Sequence, residues 1–144
     1  PPVHWDPGTG RPTLTIRGLD SADVFVNAAR AFSALLADPD GVSPGGLHDR
    51  LRVEATTREG LLAAFLNELG RLFEREREIF CRFQPRRVTD TLCEIEADGE
   101  LWDPGRHRAR YTFKPLSAAD VTWTAAPGVP PIVRLCLSVQ SPPS

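Results

Sequence analysis

Methionine is absent from the 144-residue chain, and cysteine occurs only three times. Without a methionine at position 1, we expect the numbering to begin inside a longer product or after processing. Cys81, Cys93 and Cys136 are too few for a disulfide scaffold, and none has the close spacing of a structural zinc site. We therefore predict three reduced, buried thiols that act as small apolar residues, which suits a cytoplasmic location.

Long apolar runs and an excess of either charge are also missing. No stretch approaches the roughly 20 residues that a membrane span needs, and the first residues lack the basic start and apolar stretch of a signal peptide. The 17 basic residues nearly balance 19 acidic ones, for a net charge of −2. That balance excludes a globally basic nucleic-acid binder. We expect no membrane partner and no direct nucleic-acid contact.

A catalytic pair is not evident either. Histidine occurs only at positions 4, 48 and 107, and no Ser-His-Asp or Cys-His arrangement follows from the spacing. The segment 6–11 is similar to a phosphate loop, but it lacks the Gly-Lys-Ser/Thr ending and opens no helix. His48 and Asp49 are adjacent, but neighbours on a strand point to opposite faces. We predict that the protein is not an enzyme.

The length and composition suit one globular domain. The apolar fraction is 41% and the charged fraction is 25%, and both values are ordinary for a soluble domain of this size. We predict a single domain over residues 1–139. The segment 140–144, which is rich in Pro and Ser, is predicted to be a frayed tail.

Two helices are predicted from the spacing of apolar residues. Asp20 or Ser21 can cap the first helix, which ends at Asp38-Pro39-Asp40-Gly41. Its apolar positions are Val24, Ala28, Phe32, Leu35 and Leu36. The second helix starts with a capping box formed by Thr56 and Glu59, and its apolar stripe runs over 61–73. The charge run 74–78 is predicted to be a solvated helix end.

The rest of the chain favours strands. Alternating or continuous apolar segments predict strands at 13–17, 51–55, 79–83, 88–97, 111–116, 121–124 and 132–139. Loops or turns are predicted at 3–12, 39–48 and 126–131, and Asp98-Gly99 is predicted to be a hairpin turn. This order predicts an α+β fold, with two helices packed on one face of a mainly antiparallel sheet. Because Pro104 and Gly105 fix a turn, we expect Asp103 and His107 to converge.

Two segments carry a family resemblance. The second helix reads Leu-Asn-Glu-Leu-Gly-Arg-Leu-Phe over 66–73, and a later segment reads Gly-Glu-Leu-Trp-Asp-Pro-Gly-Arg-His over 99–107. Lys114 follows seven residues later. Both segments and this lysine resemble the motifs of the archease family, at the right separation. The first predicted strand and helix fit the same family, so the resemblance implies an archease-like fold over nearly the whole chain.

The resemblance implies an accessory role. Archeases activate the RNA-splicing ligase that joins tRNA halves through a guanylate intermediate. For this chain the resemblance implies the same kind of partner, with Asp103, His107 and Lys114 as the polar face that contacts it. The alternative is a divergent binding or scaffold module that keeps the fold and has no ligase-related role.

The family's metal site falls on changed residues. Archeases bind a divalent cation such as calcium through carboxylates near both ends of the chain. The first of these aspartates falls on Arg11 and the second on Ser138, which is followed by Val139. A guanidinium repels a cation and could occupy its place, so we predict no metal cofactor. The alternative is that Asp6 shifts along the chain and restores a ligand.

Overall fold

A computed structural model describes residues 2–8 and 11–140 of the chain. The two α-helices of this part are α1 (Ser21–Leu36) and α2 (Arg58–Arg71). Its nine strands are β1 (Val3–Asp6), β2 (Thr13–Arg17), β3 (Leu47–Glu54), β4 (Glu78–Val88), β5 (Leu92–Leu101), β6 (Thr112–Phe113), β7 (Val121–Ala126), β8 (Val129–Cys136) and β9 (Val139–Gln140). A π-helical turn (Leu72–Glu76) extends α2, and 3-10 turns lie at Pro39–Gly41 and Ala118–Asp120.

The strands pair antiparallel throughout the described residues. One sheet has the order β1-β2-β8-β7, a second has the order β3-β5-β4, and β6 and β9 form a two-stranded ribbon. Helix α1 packs on β4 and β2, while α2 packs on β3 and β7 and also contacts α1. The predicted α+β class, with two helices on antiparallel sheet, is confirmed. None of the helices described here is long and apolar enough to cross a membrane.

Side-chain caps fix where both helices start. The Asp20 carboxylate accepts a hydrogen bond from the Asp23 amide at 2.8 Å, as the sequence predicts. The second cap is Thr57, whose hydroxyl accepts from the Gly60 amide at 3.0 Å, so the predicted cap at Thr56 is one residue early. A single threonine oxygen satisfies the otherwise orphaned amide, and either threonine offers that chemistry.

The core lies between the helices and the sheets. Phe25 of α1 and Phe65 of α2 are both fully buried, with ring centroids 5.9 Å apart. The other largest fully buried side chains are Leu14, Ile16, Leu36, Leu61, Leu62, Leu66, Leu69, Ile79, Ile95 and Leu135. Each such side chain contributes about 1.5–3 kcal/mol through burial. The predicted apolar stripes of both helices therefore supply much of the core.

Several predicted turns are wrong because tertiary pairing overrides local signals. Residues 3–6, placed in a loop, form β1 against β2. Asp98-Gly99 lies inside β5, where β3 and β4 pair on either side of it. Strand β8 begins at Val129 although two prolines follow. Strand β2 pairs with β8 only from Ile132 onward, so the missing amide hydrogens of these prolines cost no hydrogen bond to β2.

Several predicted elements also begin or end at residues other than those expected. Residues 47 and 48 belong to β3 rather than to a loop, and only Thr112–Phe113 of the predicted strand 111–116 is a strand. The predicted last strand ends at Cys136, and β9 is separate. Gln140, placed at the start of a frayed tail, pairs with Thr112. Residues 141–144 lie outside the described part of the chain, as do Thr9 and Gly10 of the predicted N-terminal loop.

The cysteines are free thiols. Cys93 is fully buried in β5, as predicted, and burial raises the pKa of its thiol to about 12. A thiol held protonated in this way is a poor nucleophile. Cys81 and Cys136 are only partly buried, so the prediction of three buried thiols is too strong for these two.

Candidate functional site

The loop that follows β5 is organised by Asp103. Its carboxylate accepts hydrogen bonds from the Gly105 amide at 2.9 Å and from Arg106 Nε at 3.1 Å. Its carbonyl oxygen accepts from the amides of Arg106 and His107. The Gly105 amide, followed by the Arg106 guanidinium, holds the pKa of Asp103 below its ordinary value. An ionised aspartate therefore fixes the turn that Pro104 and Gly105 begin.

His107 is buried beneath this loop and makes two hydrogen bonds. Its Nδ1 atom accepts from the Asp103 amide at 2.7 Å. Because Nδ1 accepts a hydrogen bond there, the ring hydrogen lies on Nε2, which donates to Glu100 Oε1 at 2.5 Å. The predicted convergence of Asp103 and His107 is confirmed. None of the His107 side chain is exposed in this structure, and its expected contact with a partner stays a prediction.

Glu100 connects the loop to the segment after α1. Besides His107, its carboxylate accepts from Arg106 Nη2 at 3.1 Å and from the Ser43 amide at 3.3 Å. These donors, with His107 first, hold the pKa of Glu100 below its ordinary value. Three groups thus donate hydrogen bonds to one nearly buried carboxylate. We call the set of Glu100, Asp103, Arg106 and His107 the loop network.

The two sequence motifs meet at Trp102. Its indole packs edge-on against Phe73 at 5.2 Å between ring centroids, and lies 5.1 Å from the His107 ring. Its backbone amide donates to the Arg77 carbonyl at 2.6 Å. Arg77 has a left-handed backbone conformation, with φ of 58°, and ends the π-helical turn after α2. The loop network therefore sits directly against the end of the motif-bearing helix.

Asn67 holds the segment after β6 against the same helix. Its side-chain amide donates to the Leu116 carbonyl and accepts from the Leu116 amide, each at 2.8 Å. Asn67 is half-buried on this helix. Glu68 pairs with Arg71 one turn later, at 2.5 Å. Only tertiary structure brings residue 116 to residue 67, so spacing gives no signal for this contact.

A shallow cleft runs along the C-terminal end of α2, and we call it the α2 cleft. It consists of two adjoining depressions of about 200 and 410 Å³ that share Glu74 and Gln140. The first is lined by Phe32, Leu66, Asn67, Gly70, Arg71, Glu74, Arg75, Phe113, Lys114, Pro115 and Gln140. The second is lined by Phe73, Glu74, Arg77, Trp102, Ala109, Thr112 and Gln140. Both motifs therefore contribute to one surface.

Exposed cations border the α2 cleft. Arg71 is paired with Glu68. Over residues 2–8 and 11–140, no carboxylate lies within 4.0 Å of Arg75, Arg77 or Lys114. All three side chains are exposed, while Phe32 and Phe113 form part of the apolar floor. The cleft therefore suits a ligand or segment that carries negative charge beside apolar groups.

The segment 136–140 runs from the end of β8 to Gln140, which lines the cleft, and Arg11 lies beside the start of this segment. Its Nη2 atom donates to Asp120 Oδ1 at 2.8 Å and to the Cys136 carbonyl at 2.9 Å. Two residues after Cys136, the Ser138 carbonyl accepts from the Lys114 amide at 2.9 Å. The positions that match the family's metal ligands are thus brought to one region by the ends of β2 and β8.

The residues in this region do not fit a divalent cation. Such a cation prefers several oxygen ligands, usually including carboxylates. Here the matching positions are Arg11, the half-buried Ser138 and the exposed Val139. Asp6, the alternative ligand, accepts from the Gly8 amide at 3.0 Å. Among the residues the structure describes, no group of three His, Cys, Asp or Glu side chains could hold a metal.

The structure places Glu78 differently from the prediction, and its burial makes the stability of the protein depend on pH. It opens β4, although the charge run predicted a solvated helix end, and its Oε1 atom is buried without a partner among the described residues. Burial, followed by a hydrogen bond to Asp49, raises the pKa of Glu78 to about 7. Because the unfolded carboxyl titrates near 4.5, wild-type stability is lost as the pH rises from about 4.5 through 7.

We therefore expect Glu78→Gln to stabilise the protein more at pH 8 than at pH 5. The full shift corresponds to about 3 kcal/mol, and solvent screening of this partly exposed group reduces the expected gain to about 1 kcal/mol. Urea unfolding of wild type and variant at both pH values measures the difference, with the exposed Glu74→Gln as control. An equal effect of Glu78→Gln at both pH values would contradict this account.

These observations define a small α+β protein in which the motif residues build a fixed loop and a shared cleft. The chain belongs to the archease protein family (MTH1598/TM1083), whose family model matches residues 13–122. Proteins of this family are accessory proteins rather than enzymes. A search of curated proteins gave no match.

A solved structure shows the same fold. The solution structure of protein 1598 of Methanobacterium thermoautotrophicum superposes with a TM-score of 0.68 and 24% sequence identity. The match covers 95% of this chain and 98% of that chain. The archease-like fold predicted from the two motifs is therefore confirmed over nearly the whole length.

Proposed function

We propose that this protein assists an RNA-splicing ligase as an accessory protein in tRNA processing. The observation that supports this most is the family match over residues 13–122, which contains both motifs and Lys114. The geometry adds a surface on which a partner can dock, because the two motifs together line the α2 cleft. The ligase supplies the chemistry, and this protein contributes binding.

We expect the partner to contact the α2 cleft and the exposed Asp103 of the loop network. Lys114 and Arg75 border the cleft with exposed charges, and Asp103 is exposed next to Trp102, which lines it. Cations around an apolar floor suit an acidic protein segment, and charge complementarity mainly sets the association rate and the specificity. A protein partner is favoured over nucleic acid because the net charge of the chain is −2.

His107 has a positioning role in this proposal. Its buried ring fixes Asp103 and Glu100, and so holds Trp102 against Phe73 at the edge of the cleft. The partner therefore contacts a surface whose shape the loop network maintains. Of the three expected contact residues, Asp103 and Lys114 remain as proposed contacts.

A ligase turnover assay tests the proposal. Purified protein is added to the cognate RNA ligase, and guanylylation and multiple-turnover joining are measured. We expect wild type to increase turnover. The double variant Lys114→Glu/Arg75→Glu should require roughly tenfold more protein for half-maximal stimulation, which corresponds to about 1.4 kcal/mol of binding. The matched control is Arg30→Glu/Arg134→Glu, a double charge reversal at exposed positions outside the cleft.

The outcomes separate the alternatives. If wild-type protein leaves guanylylation and turnover unchanged, the ligase proposal is wrong and the scaffold alternative is favoured. If wild type stimulates the ligase and both double variants behave alike, the α2 cleft is not the docking surface.

A further inference from the structure

Arg11 joins three segments that are distant in sequence. It lies just before β2, its guanidinium contacts Asp120 at the start of β7, and the same nitrogen contacts the last carbonyl of β8. Next to it the Leu137 amide donates to the Pro12 carbonyl at 2.9 Å. One positive group therefore sits where the strand ends β2, β7 and β8 converge.

The Asp120 carboxylate that Arg11 contacts is also held in place by Ser117. Asp120 Oδ2 accepts from the Ser117 amide at 2.9 Å and from the Ser117 hydroxyl at 3.2 Å. The other oxygen, Oδ1, faces Arg11. The Ser117 amide and then the Arg11 guanidinium keep the pKa of Asp120 below its ordinary value. Arg11 thus meets an ionised carboxylate and a main-chain carbonyl, the oxygen types that a calcium ion also uses.

The other nearby oxygen atoms that could act as metal ligands are already hydrogen-bonded or are uncharged. The Ser138 carbonyl accepts from the Lys114 amide, and the Asp6 carboxylate accepts from the Gly8 amide. A divalent cation here would meet Asp120 as a carboxylate ligand and the permanent charge of Arg11 as a repulsive neighbour. The electrostatic balance therefore favours the guanidinium.

We propose that Arg11 takes the place of a bound divalent cation in this protein. Its guanidinium neutralises Asp120 and holds the ends of β2, β7 and β8 together without a metal. This proposal concerns the architecture of the chain, and it stands or falls independently of the ligase proposal.

The first test measures wild-type protein with and without metal. We expect the melting temperature to change by less than about 1 °C on addition of a chelator or of millimolar CaCl₂, because a ligand stabilises only when it binds the folded state. Calorimetric titration with CaCl₂ should give no saturable heat. Micromolar calcium binding by wild type, or a large loss of stability on chelation, would overturn the proposal.

The second test removes or inverts the positive charge. Arg11→Met should lower the melting temperature by about 3–6 °C, while Arg11→Lys should recover part of the loss because an ammonium keeps the charge but not the planar geometry. The control Arg17→Met removes an exposed arginine from the opposite end of β2. An Arg11→Met effect no larger than that of Arg17→Met would contradict the proposal.

The third test restores the carboxylates. Arg11→Asp/Ser138→Asp should bind calcium with a Kd of about 10⁻⁴–10⁻³ M, the range of weak oxygen-ligand sites, and its melting temperature should rise on calcium addition. The control Arg17→Asp/Ser138→Asp should not bind. A folded double variant that ignores calcium would show that this region is not a cation position. If the double variant does not fold, the wild-type titration and Arg11→Met still decide the matter.

Discussion

Replacing Gly99 by alanine is expected to destabilise the protein severely. A Cβ atom at Gly99 would lie 1.9 Å from the Ile79 carbonyl oxygen and 2.6 Å from Phe80 Cα. Both are backbone atoms of the neighbouring strand β4, and β3 pairs on the other side of Gly99. The clash therefore requires the central strand of a sheet to move. We expect a loss of about 4 kcal/mol or more from a total stability of about 5–15 kcal/mol.

Urea unfolding followed by far-ultraviolet circular dichroism measures this loss. Gly45→Ala is the matched control, because a Cβ at Gly45 meets nothing within 4 Å. We expect that control to leave stability unchanged or slightly increased, since alanine restricts the unfolded chain. A Gly99→Ala variant as stable as Gly45→Ala would show that the close approach of β4 and β5 is wrong.

Replacing His107 by alanine is the second large expected loss, about 3 kcal/mol. The substitution leaves the Asp103 amide without its acceptor and takes one donor from the nearly buried Glu100 carboxylate. Unsatisfied buried polar groups and broken buried pairs are among the costliest single changes. The ring also packs against Trp102, so a cavity adds to the loss. Equilibrium urea unfolding at pH 7 measures it.

The pH dependence of this loss has a defined sign. His107 contributes first to the lowered pKa of Glu100, so this stabilisation is present above the ordinary pKa of a glutamate and is lost as the pH falls through the lowered one. The gap between wild type and His107→Ala should therefore narrow in acid. His48→Ala is the control, because the exposed His48 pairs with Asp98 and Glu96 on a solvated sheet face. Equal losses in the two variants would contradict a special role for His107.

The sequence predicts the helices well and the sheet less well. The apolar stripe of α2 depends on spacing within the helix itself, and the structure buries it as predicted. Asp98-Gly99 is a strong local signal for a hairpin turn, but the glycine is required by the close approach of β4 in the sheet. Gly99 suits a hairpin turn by its local chemistry and suits the sheet because it has no Cβ atom. The pairing with β4 decides which of the two structures forms.

The candidate site was predictable only where its contacts are local. The convergence of Asp103 and His107 follows from four residues of turn chemistry and is confirmed. The burial of His107 against Glu100 depends on how the loop packs, and the Asn67–Leu116 contact spans 49 residues. These contacts arise from tertiary structure, so residue spacing gave no sign of them. The loop network is therefore mainly a finding of the structure.

The loop network also joins the two motifs. One motif ends at Phe73 and the other contains Trp102 and His107, and these three rings form a continuous packed row. If the row is intact, the α2 cleft has a fixed edge next to the exposed Asp103. In the proposed function, the docking surface and the stability of the fold therefore both depend on the buried His107 ring.

The most direct test of this account is a long-range ¹H–¹⁵N spectrum of the histidine rings at pH 7, in which the exposed His4 serves as an internal reference. We predict that His107 shows one fixed tautomer, with its proton on Nε2 and with Nδ1 unprotonated, because the Asp103 amide donates to Nδ1. A proton on Nδ1, or averaging between tautomers like that of a solvent-exposed ring, would contradict the account.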